Sequence, residues 1–391
     1  MDLCGQAAII GVGCTPFVRR TEDSALALAR QAFKAALADA GATRDDVDGV
    51  TTHYGFPVGV DYDRFAEAMG LNIRHAAQYW NHGRFVTTTL QNAALTVIAG
   101  LADMVAVVTA VKFMSVRAGL GGDGDFENSR EGGGTHGEEP AFGLTSPAGG
   151  TALTAQAYME RYGYDRDMLM NVVIASRAHA ARNPRAMRHE PFDADVYVEE
   201  PLIIEPLRRA DCALLSDGAV VVLVTSTEAA ERFNKPPVYV RGMQGMRAGP
   251  DEFCFAPRGF GVLQQGVREW PPERHPNQVF DMAGLGPADM DGFYTYDAFS
   301  PLVPFALERF GHFGPAESPT AIAQGVIGPG GQLPVNTHGG LLSEAHIGGW
   351  NHMAEMVWQL RGEAGPTQID GATALQWGTA SGDSIILGSQ P

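Results

Sequence analysis

Ala40–Tyr54 reads AGATRDDVDGVTTHY, and Ala283–Asp297 reads AGLGPADMDGFYTYD. The two stretches align without a gap. The Ala-Gly pair, Asp46 against Asp289, the pair Asp48-Gly49 against Asp291-Gly292, and Thr52 against Thr295 fall in register. A second, looser echo pairs the helix and strand from Gly83 to Val108 with those from His346 to Leu387. Asp103 and Asp383 are read as opening equivalent strands. Two echoes in the same order point to a duplicated unit, because self-similarity at a fixed order marks repeated architecture.

The surroundings of the first copy define that unit. AAIIGVG (Ala7–Gly13) is a short apolar strand. The segment TEDSALALARQAFKAALADAG follows, with Leu26, Phe33 and Leu37 at helical spacing. Asp23 or Ser24 is its candidate N-cap, and Gly41 is its stop. After the turn and strand of the quoted stretch, GRFVTTTLQNAALTVIAG reads as a helix and LADMVAVVTAV as a strand. Strands alternating with helices of this length predict an α/β fold.

Bulk properties narrow the function. The chain has 391 residues and a formal net charge of −17, which argues against a polyanionic partner such as nucleic acid. No apolar run of 18 or more residues suggests a membrane span. The start, MDLCGQAAIIGVG, lacks the basic flank and cleavage site of a signal peptide. Four cysteines, Cys4, Cys14, Cys212 and Cys254, lack the spacing of a zinc site or disulfide framework. A reduced, cytoplasmic setting is expected, with no metal.

Two segments break the alternation. Arg117–Gly150 is rich in glycine and acidic residues and reads as a long mobile loop, a lid or a docking surface. Ser176–Phe192, SRAHAARNPRAMRHEPF, gathers Arg177, Arg182, Arg185 and Arg188 in an acidic protein. A charge run of this kind is ordinarily a solvated helix face. The sharper reading is a grip on phosphate, for which guanidinium forks are suited.

The order of these elements resembles the thiolase superfamily, in the branch of the sterol carrier protein X thiolase domain and the lipid-transfer proteins. GVGCTPF, ADCALLSDGAVVVLV, YDAF at Tyr296–Phe299 and NTHGGLLSEAHIGG at Asn336–Gly349 carry the resemblance across essentially the whole chain. It implies the duplicated thiolase fold: two βαβαβαββ halves in five layers, α-β-α-β-α, with an inserted loop domain. The halves are placed at residues 1–115, completed by about 203–235, and 236–391; the loop domain is 116–202. It also implies a homodimer and an acyl-coenzyme A thioester as substrate, with coenzyme A phosphates offered to Arg177, Arg182 and Arg185.

The resemblance also exposes losses. A thiolase carries a nucleophilic cysteine at the start of the helix leading to Asp103, counted back to Gly83. A second cysteine falls in LQWGTASGD, near Gly378. No cysteine lies between Cys14 and Cys212, and none near Gly378, so covalent acyl transfer through a thiolate is disfavoured. His346 stands in place of the family's Gly-His-Pro histidine, flanked by Ala345 and Ile347 instead of Gly and Pro. Tyr296 takes the position that is Asn in ordinary thiolases and His in the sterol carrier branch.

Loss of both cysteines with Tyr in the YDAF motif is similar to the steroid side-chain-cleaving aldolases. Those enzymes cut β-hydroxyacyl-coenzyme A thioesters by retro-aldol chemistry with a small zinc-ribbon and OB-fold partner, in a heterotetramer. They carry a second Tyr where this chain has His346. Their chemistry needs a base, an enolate stabiliser and an acid, but no nucleophile. An imidazole near its ordinary pKa of about 6.5 is a natural base, and a phenol near about 10 a better acid than base.

Asn336, Gly339, Gly340 and Gly378 are candidates for an oxyanion hole, Gly83 for space left by the lost thiol, and His338 for positioning. Each has a structural alternative. His346 could sit in a polar network, Tyr296 could be a buried ring, His82 and His338 could be loop histidines, and Glu344 could cap the next helix. Two other functions stay open: a non-catalytic acyl-coenzyme A or lipid carrier, and an acyltransferase with an unusual nucleophile.

Overall fold

A computed structural model describes residues 3–79, 85–116, 146–246 and 277–391. The first half runs β1 (Ala7–Cys14), α1 (Ala25–Ala40), β2 (Gly49–His53), α2 (Tyr62–Met69), β3 (His75–Tyr79), α3 (Val86–Ile98), β4 (Met104–Lys112) and α4 (Phe113–Val116). There follow α5 (Pro147–Tyr162), α6 (Asp167–Ala180), α7 (Ala194–Glu199) and the small hairpin β5 (Leu202–Ile204) and β6 (Leu207–Arg208). Strand β7 (Asp217–Ser226) and α8 (Thr227–Ala230) precede β8 (Val238–Gln244), α9 (Gln278–Ala283), β9 (Gly292–Tyr294), α10 (Leu302–Arg309) and α11 (Ser318–Ala323). The chain ends with α12 (Gly340–Ser343), α13 (Trp350–Arg361), β10 (Ala374–Gly378) and β11 (Ser384–Gly388).

Nine strands form one sheet in the order β3-β2-β4-β7-β1-β8-β11-β10-β9. Read outward from the short β1–β8 junction, the first half runs β1-β7-β4-β2-β3 and the second β8-β11-β10-β9. The sequence order is the same in both, except that β3 has no counterpart among the described residues. In each half the strand after the turn runs parallel to its neighbours, β2 with β4 and β3, and β9 with β10.

The quoted turns make the same bonds. Gly41 and Gly284 close α1 and α9 in left-handed conformation, at φ 68° and 65°. Asp46 and Asp289 each accept a backbone N–H three residues back, both at 2.8 Å. Asp48 accepts the N–H groups of Asp103 and Met104 at the head of β4, and Asp291 those of Thr373 and Ala374 at the head of β10. The second echo shifts by one element. The counterpart of β4 is β10, because each is parallel to the strand after the turn. The strand after Asp383 instead matches β7, which opens at Asp217 and, like β11, pairs antiparallel with its neighbours.

Alternating residues sort into layers, as the period of two in a strand requires. In β7, Val220, Val222 and Val224 join a cluster with Leu90 and Val97 of α3 and Met353 and Val357 of α13. Ala219, Val221 and Leu223 face the other way, onto Leu28, Ala32 and Phe33 of α1. In the second half Tyr294 and Ile385 turn to the shared central cluster, whereas Phe293 and Ile386 face α9, α10 and α11. The result is the expected α-β-α-β-α arrangement, with α3 and α13 in the middle. Ser24 is the N-cap of α1, accepting the Ala27 N–H at 3.1 Å. Alpha carbons at Gly11 and Gly13 let that helix lie close on β1: a Cβ on Gly13 would fall 2.2 Å from the Ala32 carbonyl oxygen.

Two expectations change at this level, and a third falls on residues that are not described. Helix α3 is described from Val86, a buried valine; the expected nucleophile position at Gly83, and His82, lie outside the described residues. The end of the glycine-rich segment, Pro147–Gly150, is the first turn of α5, because proline is tolerated where no N–H partner is needed; the stretch 117–145 and Cys254 lie outside the described residues. Cys212 precedes β7 and is not part of a strand. No described helix is long and apolar enough to cross a membrane.

Candidate active site

Three chain segments meet where the two quoted turns would be related by duplication. The YDAF turn leaves β9 and is locked to the NTHGG loop by Asn336. Its Oδ1 accepts the Thr295 N–H at 3.0 Å, and its Nδ2 donates to the Thr295 carbonyl at 3.1 Å. Asp297 then accepts the N–H groups of Leu341 and Leu342 at the start of α12, at 2.9 and 3.4 Å. Between turn and loop runs Cys212–Ser216. The Ala213 N–H donates to the Ala298 carbonyl at 2.9 Å, Leu214 N–H to the Leu341 carbonyl at 2.9 Å, and His346 N–H to the Leu214 carbonyl at 2.8 Å. This strip of backbone fixes the separation of the two functional side chains.

The Tyr296 hydroxyl lies 3.0 Å from His346 Nε2, with both residues buried. Their rings meet edge to face at 5.7 Å, and Phe113 packs edge-on against the imidazole at 5.2 Å. The Gly348 backbone N–H reaches His346 Nδ1 at 3.3 Å. A backbone N–H can only donate, so Nδ1 is the acceptor and the neutral ring carries its proton on Nε2. That N–H donates to the Tyr296 oxygen. Burial pulls the His346 imidazole down to about 4, so it stays neutral across the physiological range. Gly348 itself sits at φ +61°, and a Cβ there would fall 2.5 Å from the Tyr54 ring.

Tyr296 and His346 line a cavity of about 210 Å³, otherwise mostly apolar, with walls that include Pro147, Ala148, Cys212, Leu215 and Phe299. Cys212 is the cysteine in this lining, yet burial pushes its thiol up to about 12. It is a neutral thiol at pH 7, not the thiolate that acyl transfer requires. Among the described residues no group of His, Cys, Asp and Glu is arranged to hold a metal ion.

The other sequence candidates take supporting positions. A Cβ on Gly339 would meet Ala180 of α6 at 2.7 Å, one on Gly340 would meet Asp297 Oδ2 at 2.0 Å, and one on Gly378 the Phe310 ring at 2.4 Å. These glycines are required by close packing; none of the three is in the cavity lining. His338 is fully buried, its Nε2 2.7 Å from Nδ1 of His352, whose Nε2 is 3.2 Å from Asp297 Oδ1. Glu344 does not cap α13; its carboxylate accepts the side-chain amides of Asn183 and Asn351 at 2.8 and 2.9 Å.

The arginine run also turns inward. Arg177 is buried with its guanidinium over the Phe192 ring, and Arg185 pairs with buried Glu355 at 2.9 Å while stacking on Trp358. Arg182 is exposed. The segment braces the NTHGG loop: Ser176 Oγ donates to the Gly339 carbonyl, and Asn183 Nδ2 to the His338 carbonyl. Sequence reading missed Cys212–Leu215 as a site element. The block ADCALLSDG was the available signal, but its apolar character reads as continuous strand.

Buried imidazoles predict an acid limit to stability. His179, His312 and His346 are each held down to about 4, and His338 well below its usual 6.5, mainly by burial. The unfolded chain takes up these protons below about 6.5 and the folded chain does not, so stability is complete above that pH and falls as pH drops toward 4. Buried Glu344, raised to about 7 by burial, acts in the opposite sense and is most favourable below 4.5. With four histidines against one glutamate, urea midpoints fall between pH 6.5 and 4.5, each uncompensated imidazole contributing about 1.4 kcal/mol per pH unit. Midpoints that stay level over that range would rule out neutral, buried imidazoles.

The family described as Thiolase C-terminal domain-like matches residues 273–387. The 17-hydroxy-3-oxo-4-pregnene-20-carboxyl-CoA lyase of Mycobacterium tuberculosis is 36% identical over 372 residues, covering 92% of each chain. A steroid side-chain-cleaving aldolase of Thermomonospora curvata is 34% identical over 376 residues, covering 92% of this chain and 91% of that protein. Among solved structures, an Ltp2-ChsH2(DUF35) aldolase superposes with a TM-score of 0.86 at 32% identity over 99% of each chain. The chain belongs to the thiolase superfamily, in its sterol carrier protein X-like branch, together with the steroid side-chain-cleaving aldolases.

Proposed function

We propose that the protein is a lyase that cleaves a bulky β-hydroxyacyl-CoA by a retro-aldol reaction, releasing a ketone or aldehyde and a shorter acyl-CoA. The observation that carries this reading is the Tyr296–His346 contact in the lining of a mostly apolar cavity whose cysteine is a neutral thiol. The lyase and aldolase names of the relatives support the same chemistry.

The bonds support a division of roles. His346 holds its proton on Nε2 and points it at Tyr296, so the imidazole is a donor and Tyr296 is the group that handles the substrate proton. As a phenolate stabilised by His346, Tyr296 takes the proton of the β-hydroxyl. The β-carbon–oxygen bond becomes a carbonyl, and the Cα–Cβ bond breaks with its electron pair left on the thioester enolate. Tyr296 then returns the proton to Cα. One proton moves from oxygen to carbon, and no covalent enzyme intermediate forms. The coenzyme A thioester is the substrate, and exposed Arg182 is proposed to meet its phosphates. A DUF35 protein is the proposed partner, in line with the assembly named for the structural relative, and the active unit is proposed to contain two copies of this chain.

The test is direct. The chain, alone and with a DUF35 partner, is incubated with a β-hydroxyacyl-CoA carrying a tertiary hydroxyl, and products are separated by liquid chromatography. The expected products are the ketone and the shortened acyl-CoA, while the intact protein mass stays unchanged. Replacing His346 with Ala lowers turnover by about 10²-fold, in the range for loss of a group that supports proton transfer. A trapped acyl-enzyme, or full turnover by His346→Ala, would sink the mechanism.

A further inference from the structure

Tyr54, directly after strand β2, has a backbone that ring-bearing residues rarely adopt. It sits at φ 69° and is one of three non-glycine residues at positive φ among the described residues, with Asn336 and Ala316. A bulky residue is strained there unless its surroundings impose the conformation, and such strain gathers at functional sites. Here the surroundings do impose it. The Tyr54 N–H donates to the Tyr79 carbonyl at 2.9 Å, and a Cβ on Gly59 would fall 2.1 Å from the Tyr54 carbonyl oxygen.

The strain changes where the ring points. Successive side chains of a strand leave on opposite faces, yet the rings of His53 and Tyr54 stack, 4.4 Å apart and 19° from parallel. Together they meet the segment that follows His346. His53 Nδ1 accepts the Trp350 indole N–H at 2.8 Å, and the Tyr54 ring packs on Gly348, where a Cβ would fall 2.5 Å from it. Tyr54 also meets Phe113 edge to face at 5.2 Å, and Phe113 meets His346 in the same way at 5.2 Å. Both neighbours that orient the imidazole therefore lean on one ring: the Phe113 side chain, and the Gly348 N–H that donates to Nδ1 at 3.3 Å.

We propose that Tyr54 is a positioning residue for His346: its ring, contributed by the first half of the chain, holds the Gly348 N–H on Nδ1 and so keeps the imidazole proton on Nε2, facing Tyr296. Which nitrogen of a neutral imidazole carries the proton is set by the bond made at the other. Without the ring behind it, the Gly348 peptide turns away and Nδ1 takes the proton. Nε2 then becomes an acceptor that ties up the Tyr296 hydroxyl hydrogen, and the phenolate loses its donor. The effect on turnover rests on the retro-aldol reading above; the tautomer does not. The titratable groups acting on His346 are Tyr296, Asp297, which favours its protonation, and His352, which opposes it. All three stay in place when Tyr54 is replaced.

Three variants of the full chain, assayed with a β-hydroxyacyl-CoA and the DUF35 partner, test the role. Tyr54→Gly accepts the left-handed backbone without steric cost and removes the ring. It is expected to lower kcat by about tenfold or more with KM changed less than about threefold, as loss of alignment in proton transfer predicts. Tyr54→Leu, which fills much of the space, should show the same loss and serves if the glycine variant does not fold. Tyr54→Phe keeps the ring and should retain at least about half of wild-type kcat. The deficit of the glycine and leucine variants should narrow as pH falls from about 8 to about 6, because a doubly protonated imidazole carries a proton on Nε2 whichever tautomer preceded it.

Nitrogen NMR on isotope-labelled histidine reads the tautomer without any substrate, with the His346 signals assigned by their absence in His346→Ala. Wild type and Tyr54→Phe should show Nε2 protonated and Nδ1 bare, and the ringless variants a proton on Nδ1. Wild-type kcat with an unchanged tautomer in Tyr54→Gly and Tyr54→Leu, or equal losses in Tyr54→Phe and Tyr54→Gly, would overturn the role of the ring. Failure of the wild-type protein to cleave the thioester would instead overturn the retro-aldol reading, and the tautomer measurement would still decide for or against Tyr54.

Discussion

Tyr296→Phe lowers kcat/KM toward a β-hydroxyacyl-CoA by about 10³-fold or more, the scale of a lost acid–base group that acts in both proton transfers. The substitution removes one oxygen and keeps the ring, so the edge-to-face packing on His346 at 5.7 Å persists. What disappears is the 3.0 Å partner of His346 Nε2. The stranded imidazole N–H costs about 1–3 kcal/mol, a small share of the stability of a protein this size, so the variant should purify and unfold cooperatively. Titration separates the two members of the pair. With His346 held near 4 by burial, the wild-type profile should lack the break near 6.5 that a catalytic imidazole base would give. A Tyr296→Phe enzyme that keeps more than about a tenth of wild-type turnover would remove the phenol from the mechanism.

Gly340→Ala is expected to have the largest effect on folding. The residue is at φ +63°, where an added Cβ is strained, and that Cβ would fall 2.0 Å from Asp297 Oδ2. Asp297 cannot simply rotate away. It accepts the Leu341 and Leu342 N–H groups in a buried environment, and releasing them strands two donors at about 1–3 kcal/mol each. With a left-handed penalty of about 1–2 kcal/mol, the loss is several kcal/mol against a total stability of about 5–15. The expected results are low soluble yield, a much lower urea midpoint and loss of turnover in whatever folds. A midpoint within experimental error of wild type would mean that Asp297 is not the latch between the YDAF turn and the NTHGG loop.

The elements that were legible in the sequence are those fixed by local bonds. The duplicated turn could be read because each copy depends on a glycine, an aspartate that accepts an N–H three residues back, and another aspartate two positions on that ties the turn to the neighbouring strand. Ser24 and Gly41 were legible for the same reason: their partners lie within about one helical turn. The Tyr296–His346 pair was reached through motif resemblance, since fifty residues separate the two and no periodicity links them. Other features depended on contacts made across the fold. The pairing of Arg185 with Glu355 spans 170 residues, so an arginine run that looked solvated is partly internal. The His338–His352 contact joins a loop to the far side of a helix. Cys212 looked like strand because its neighbours are apolar, whereas its backbone is held by two loops distant in sequence.

His53 occupies in the first half the position that Tyr296 occupies in the second, each five residues beyond the aspartate that ties its turn to the neighbouring strand. Its ring is buried and accepts the Trp350 indole N–H at 2.8 Å. One copy of the ring position is thus engaged in packing while the other lines the cavity. Duplication here gives one chain two versions of the same turn: the first spends its ring on holding helix α13 in place, and the second leaves its ring facing a cavity, where its chemistry can vary without loosening the scaffold.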